Sequence, residues 1–456
     1  MKPMLRPLLF EERAREGEYV DQKRFDMRHV SARLRELERE YGVSYDPDCP
    51  VPGDPSLAKS VYEAGLVFAE ETGLLLVDEN RVARFSGDEI REAVRLAPRE
   101  LLLGRGRDAR RLRARRPGDR DKPFIFAGLA GTPTPLEVFY ATALSYAREP
   151  LVDAIDHGSV NEVFGVKVKS GAPSEALAGI EELRAVRKAV EDAGRPGMHI
   201  LGAESSVTAT ASLAAMAAGL LGEGDAQLLP ILNEMKTDYS QLTKALVGAM
   251  RGVHGAALID PVVGGFARGP AGSSITAVAE TVLSLLAYDA SYFLIHPVHI
   301  TRQATTTPEC LWVEAVVGQA NTSLGLPLVA DVWPANGAGA PELLYEVAAN
   351  TVAAVASGLN LLGPTPTAGT APHGTGLEAR LMAEVAVKTA RDGLKPGDAC
   401  EAVKELYGRY RGSLEKPSPG KPFTELYDAR RVAPRSEWLE AYRRVRAELA
   451  DMGLVE

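Results

Sequence analysis

The sequence is poor in cysteine. Three stand in 456 residues, Cys49, Cys310 and Cys400, far apart along the chain and with no CxxC or metal-ligand spacing. That pattern argues against a disulfide framework or a structural zinc, and it suits a reducing cytoplasm. No apolar run approaches the roughly 18 residues that would cross a bilayer. The opening "MKPMLRPLLFEERAREGEYV" has a short apolar patch but soon turns acidic, so it reads poorly as a signal peptide. Positive charge is short as well: 52 Lys and Arg face 61 Asp and Glu, a net charge of −9. Such a balance offers nothing to nucleic acid or to an acidic membrane. No GxGxxG follows the first strand candidate, no P-loop follows any strand, and no Ser-His-Asp or Cys-His spacing stands out. The expectation is a cytoplasmic protein with no metal, no nucleic-acid partner and no membrane partner.

What is present is apolar bulk in a repeating order. At 45% hydrophobic, the chain can bury a large core. Its first hundred residues read as helices: "VSARLRELEREYG", "SLAKSVYEAGLVFAEETG" and "SGDEIREAVRLAP", the last with a capping box from Ser86 to Glu89. Next comes "GRGRDARRLRARRPGDRDK", where eight arginines and one lysine outweigh three aspartates. Such a run reads as a solvated loop or a β-hairpin arm rather than a phosphate site. From residue 124, short apolar runs alternate with helical stretches eight times: "FIFAGLA", "AIDHGSV", "MHILGAE", "AQLLPILN", "AALIDPVV", "SYFLIHPV", "LPLVADVW" and "LNLLGPT". Continuous apolar runs indicate strands covered on both faces, hence a parallel sheet. Eight strand-helix units in about 270 residues predict a TIM (β/α)8 barrel, with a doubly wound sheet as the alternative. The expected organisation is an N-terminal helical extension and basic arm over 1–122, a barrel over 123–395, and a C-terminal helical extension over 396–456, packed as one unit.

A TIM barrel places its active site at the C-terminal ends of its strands. Candidates there are Gly128 to Thr132, Glu204, Asn233 and Glu234, Asp260 with Gly264 and Gly265, His296, Asp331 with Trp333 and Asn336, and Thr365 to His373. Glu204 leads, because a lone carboxylate in a barrel mouth is costly unless used or paired. Glu234 reads as an acid or base or, preferably, as a helix cap. His296 and His299, three apart on a strand, point to opposite faces and cannot chelate one metal, so both read as structural. "GGFARGPAGSS" is open between a phosphate cradle and a crowded turn.

Taken in order, "LLGRGRD", "AGLAGTPTPLEVF", "GRPGMHILGAESS", "LNEMKTD", "VVGGFARG", "PVHI", "TGLEARLMAEVA" and the tail from "FTELYD" to "LADMGLVE" resemble the monomethylamine methyltransferase family. The resemblance implies a TIM barrel that passes a methyl group from methylamine to a corrinoid carried by a partner protein, no cofactor bound directly, and a homo-oligomer. In that family the loop matching "GRPGMHILGAES" carries pyrrolysine, whose imine ring holds the amine. The matching position here is Leu201, with no gap between Arg195 and Glu204. Glu204 matches a family glutamate, and two other family carboxylates fall on Leu228 and Leu258. Asp331 lies near a family glutamine. The resemblance thus implies an apolar mouth with Glu204 catalytic and Leu201, Leu228, Leu258, Asp331 and Trp333 lining the pocket. Without the imine, the expected donor is an N-methylated amine, quaternary rather than monomethylamine, held against an aromatic face from Trp333, Phe266, Phe293 or Tyr292. Two alternatives stay open: a non-catalytic binder of the corrinoid protein, and a methyltransferase for a methoxy or methylthio compound.

Overall fold

A computed structural model describes residues 5–456, and in it eight parallel strands alternate with eight helices. The strands are β1 (Phe126–Ala127), β2 (Ala154–Asp156), β3 (His199–Gly202), β4 (Ala226–Pro230), β5 (His254–Ile259), β6 (Tyr292–Ile295), β7 (Leu328–Asp331) and β8 (Asn360–Leu362). They neighbour one another in chain order, and a parallel bridge between Ile125 and Leu361 closes the ring. The helices are α1 (Leu136–Ala147), α2 (Pro173–Asp192), α3 (Thr210–Ala217), α4 (Tyr239–Met250), α5 (Pro270–Tyr288), α6 (Pro308–Leu324), α7 (Pro341–Ala356) and α8 (Gly376–Asp392). The expected TIM barrel is therefore the fold.

Side chains alternate across each strand with period two. Phe126, Ala154, Leu201, Ala226, Ala256, Tyr292, Leu294, Val329 and Leu362 fill the barrel interior. Their neighbours Ile155, Ile200, Leu229, Ala257, Phe293, Ile295, Ala330 and Leu361 face the helices instead. Both sets are apolar, which is why the strands read as unbroken runs.

The basic run keeps most of its arginines exposed. It folds as a hairpin of Glu100–Leu103 and Arg110–Arg113 that seals the N-terminal end of the barrel. Leu103 and Leu112 join the interior cluster, and the backbone N–H groups of Gly104 and Arg105 donate to Gly224 and Gly197 at 2.8 and 2.7 Å. Its arginines and those nearby pair with acids at the rim, Arg105 and Arg187 with Asp225, and Arg113 with Asp119.

The flanking segments complete the outer layer. Helix Pro55–Thr72 packs on α5 and α6, Gly87–Leu96 on α5, and Pro396–Tyr410 on α7. The Ser86–Glu89 capping box is made in both directions. The stretch read as a poor signal peptide forms the helix Arg6–Glu16, its first four residues lying outside the described ones. Helix α5 corrects the expectation that no apolar run is long enough for a membrane: it passes by length and composition, yet 94% of its apolar window is buried inside the protein. It is a core helix. All three cysteines are free thiols, and two of them are neighbours. Cys49 and Cys400, 351 residues apart in the chain, meet with their Sγ atoms 3.2 Å apart, because the N-terminal extension packs on the C-terminal one.

Gly128, at the end of β1, has a φ of +152° and no room for a side chain: a Cβ there would sit 1.4 Å from the Asp156 carbonyl oxygen. Gly128→Ala should cost about 3 kcal/mol or more, read as a lower urea midpoint. Gly222→Ala, with nothing within 4 Å, should change the midpoint little.

Candidate active site

The loops over the mouth are held by buried glutamates on the surrounding helices. After β3, Ala203 takes a left-handed conformation, φ +62°, that turns the chain and sets Glu204 over the barrel. Ser205 then donates its N–H and hydroxyl to the two carboxylate oxygens of Glu182, at 3.2 and 2.6 Å, and Thr208 N–H donates to Glu175 at 2.9 Å. Both glutamates lie seven residues apart on one face of α2. The device recurs. Glu280 on α5 accepts from Met235 N–H at 2.9 Å. Glu346 on α7 accepts from Ala335 and Asn336 N–H at 2.8 and 3.0 Å.

Within that frame the strand ends bring five ionisable groups together. Asp156 ends β2, in register with Leu201 on β3, and lies within hydrogen-bonding reach of Glu204. Burial raises both carboxyls, Glu204 to about 8 despite the pull of Lys244, and Asp156 well above its ordinary range, with Glu204 beside it adding to the rise. The pair therefore retains a proton near neutrality. Asp331 ends β7 and pairs with His296 Nδ1 just past β6. Burial alone would lower the imidazole, but Asp331 and Asp260 override it and hold it above its ordinary value. Asp260, past β5, is pushed up to about 7 by burial, with His296 opposing. Lys244 on α4 reaches in from the side, its Nζ 3.5 Å from the Ser206 carbonyl, and burial lowers it to about 8.

One oxygen on each of Asp156, Glu204, Asp260 and Asp331 is buried and has no hydrogen-bond partner. Carboxyl oxygens without donors are costly, so this sector is built to accept N–H groups or a cation. The β4–β5 wall is different. Leu228 and Leu258 continue the interior layer and are partly exposed, while Leu201 below them is fully buried.

The structure thus brings together Glu204, Asp331, Leu201, Leu228 and Leu258. Trp333 joins them through an edge contact with His296, ring centroids 4.7 Å apart. The other aromatic candidates separate: Tyr292 lies deep in the barrel against Phe126, Phe293 faces the helices, and Phe266 is exposed on the rim. Glu234 is a strut, accepting from Val262 N–H at 3.1 Å. The Gly264–Ser274 loop turns its donors on itself, Gly264 to Arg268 and Gly265 to Val262, and so forms no phosphate cradle there. His296 is paired with Asp331, and Asp156 and Asp260 make the mouth more acidic than the apolar one expected. The signal for Asp156 was a carboxylate ending an apolar strand, the same pattern that singled out Glu204. Among the described residues, no group of three or more His, Cys, Asp or Glu is arranged to hold a metal ion.

The family described as Monomethylamine methyltransferase MtmB matches residues 9–454. This chain belongs to the monomethylamine methyltransferase family. It is 31% identical to Monomethylamine methyltransferase MtmB2 of Methanosarcina acetivorans over 455 residues, 98% of this chain and 97% of the relative. The MtmB of Methanosarcina mazei is equally similar, 31% over 454 residues with the same coverage of each chain. The crystal structure of Methanosarcina barkeri MtmB superposes with a TM-score of 0.94 at 30% identity, covering 98% of each chain. A crystal structure of a hydroxylamine complex of MtmB matches equally well. Membership makes the protein a methyltransferase, and the fold carries through the whole length.

The raised Glu204 carboxyl ties stability to pH. Its stabilising proton is fully present below about pH 4.5, where the unfolded chain is protonated too, and its contribution is lost as pH rises through about 8. Glu204→Gln should therefore raise the thermal midpoint more at pH 8.5 than at pH 5.5, while lowering methyl transfer at least tenfold, about 1.4 kcal/mol.

Proposed function

We propose that this protein moves a methyl group from a cationic N-methylated amine to the cobalt of a corrinoid carried by a separate protein. The observation that carries the reading is the convergence of four unpartnered carboxyl oxygens, from Asp156, Glu204, Asp260 and Asp331, beside the leucine wall of the barrel. Carboxyl oxygens take the nitrogen and the leucines take its methyl groups. The corrinoid supplies the nucleophile and accepts the methyl, and the nitrogen must leave as a neutral amine. That requires the donor to be protonated or quaternary. A protonated nitrogen gives donors to the orphan oxygens, and the negative charge around it keeps its proton on until the methyl has left.

A protonated N-methylammonium therefore fits the acidic sector better than a quaternary donor, which has no N–H to give. The quaternary reading rests on Trp333, whose indole stands beside His296 at the mouth and offers a cation–π face worth about 2 kcal/mol when desolvated. In this picture Leu201 stands where relatives with pyrrolysine present an electrophile, and charge on the donor itself takes over the activation. The catalytic roles follow. Asp156 and Glu204 hold the nitrogen, and Asp331, oriented by His296, completes the counter-charge. Leu201, Leu228 and Leu258 shape the apolar side.

The mouth's rim is suited to a protein acceptor. Phe164, Val166, Val207, Phe266 and Ile300, all on loops that follow barrel strands, are exposed.

Methyl transfer to reduced corrinoid should proceed with methylated ammonium ions bearing at least one N–H and be at least tenfold slower with tetramethylammonium. The reverse order would favour the quaternary reading, and no transfer with either would remove the amine reading. Binding of a permanent cation should draw a proton off the Asp156–Glu204 pair and release close to one proton at neutral pH. Calorimetry in buffers of different ionisation enthalpy checks this, and the release should change in Glu204→Gln. Phe164→Asp should weaken transfer to the corrinoid protein while leaving transfer to free cobalamin unchanged.

A further inference from the structure

We propose that Cys49 and Cys400 are a disulfide site that staples the N-terminal extension to the C-terminal one. Their Sγ atoms are 3.2 Å apart, and both backbones are anchored where they meet. Cys49 lies in the loop "DPDCPVPGDP", with its N–H on the Asp46 carbonyl at 3.2 Å and the fully buried Val51 two residues on. Cys400 is in the helix Pro396–Tyr410 and is buried. Loop and helix touch backbone to backbone, since a Cβ on Gly53 would lie 2.9 Å from Gly397 N. The thiols are thus held side by side, about 1 Å beyond bonding distance. Cys49 is partly exposed and Cys400 is not, so an oxidant from solvent meets Cys49 first. Cys310, buried alone on α6, has no such partner.

The co-reactant is a small disulfide such as oxidised glutathione. The Cys49 thiolate attacks one of its sulfurs, forming a mixed disulfide and expelling one glutathione thiolate. The Cys400 thiolate then attacks Cys49 Sγ and expels the second. Two protein thiols are oxidised to a disulfide, one small disulfide is reduced to two thiols, and the two protons given up by the cysteines end on the expelled glutathione thiolates. Burial, with Cys400 alongside, pushes the Cys49 thiol up to about 11. The reactive thiolate is therefore scarce at neutral pH, and the first step accelerates as pH rises. The bond would close a loop of 351 residues in the 456-residue chain, between two distant segments. Such a long closed loop removes much of the unfolded chain's freedom. It holds the outer layer on the barrel without touching the mouth.

Full-length protein treated with oxidised glutathione at pH 8.5 should lose two of its three thiols, counted after denaturation, and yield a tryptic peptide joining Cys49 to Cys400. Its thermal midpoint should rise by about 3 °C or more and revert with dithiothreitol. Cys310→Ser should behave in the same way. Cys49→Ser and Cys400→Ser should each keep two thiols and show no shift, with the single substitutions themselves folding as judged by circular dichroism. Three thiols surviving the treatment, a glutathione adduct persisting on Cys49 beside a free Cys400, or a cross-link that leaves the midpoint unchanged would each overturn the proposal.

Discussion

Buried backbone must be satisfied without water, and over the mouth of this barrel that constraint falls on glutamate side chains of the surrounding helices. Glu175 and Glu182 hold the loop that carries Glu204, Glu280 holds the one after β4, and Glu346 the one after β7. A carboxylate presents two acceptors in a plane, so one glutamate can pin adjacent N–H groups or an N–H and its own residue's hydroxyl. Burial raises Glu182 to about 8 and raises Glu346 and Glu280 as well, which shows the electrostatic cost of keeping such groups dry. The return is loops rigid enough to aim side chains from several strands at one point.

That rigidity permits a division of labour inside one ring of strands. β4 and β5 present leucines along their length, whereas the ends of β2, β3, β5, β6 and β7 present acids and an imidazole. The acids are not stabilising where they stand: they are desolvated, mutually repulsive and short of donors. Groups held in this condition are characteristic of binding sites, where a ligand supplies the missing charge or hydrogen bond. Lys244 and His296 offset part of the repulsion from within the protein, and the remainder is what the proposed cationic donor would meet.

Much of this was legible from residues alone. Apolar runs recurring eight times predicted the barrel, because parallel strands must be apolar on both faces. Glu204 stood out as a carboxylate at a strand end, and the placement of Leu228 and Leu258 follows from strand register, both facing the interior as the matching positions require. Asp156 was hidden inside "AIDHGSV", where one polar residue looks like any strand terminus. His296 was set aside because a strand's alternation separates it from His299; its partner is instead Asp331 on the next strand, which no local spacing can reveal. The meeting of Cys49 and Cys400 is hidden for the same reason, since separation along a chain says nothing about packing between distant segments.

The sequence by itself determined the architecture and the family, since both reside in periodicities and ordered motifs that short-range physics imposes: alternating strands, capped helices, tight glycine turns. Only the tertiary structure decided the character of the site. Closing the ring brought Asp156, Glu204, Asp260, His296 and Asp331 from five separate strand ends into one volume, where burial raises the carboxyls of Asp156, Glu204 and Asp260 and leaves one oxygen on each of the four acids without a donor. Desolvation and coupling between charges depend on distance in space, and that distance exists only once the barrel has closed.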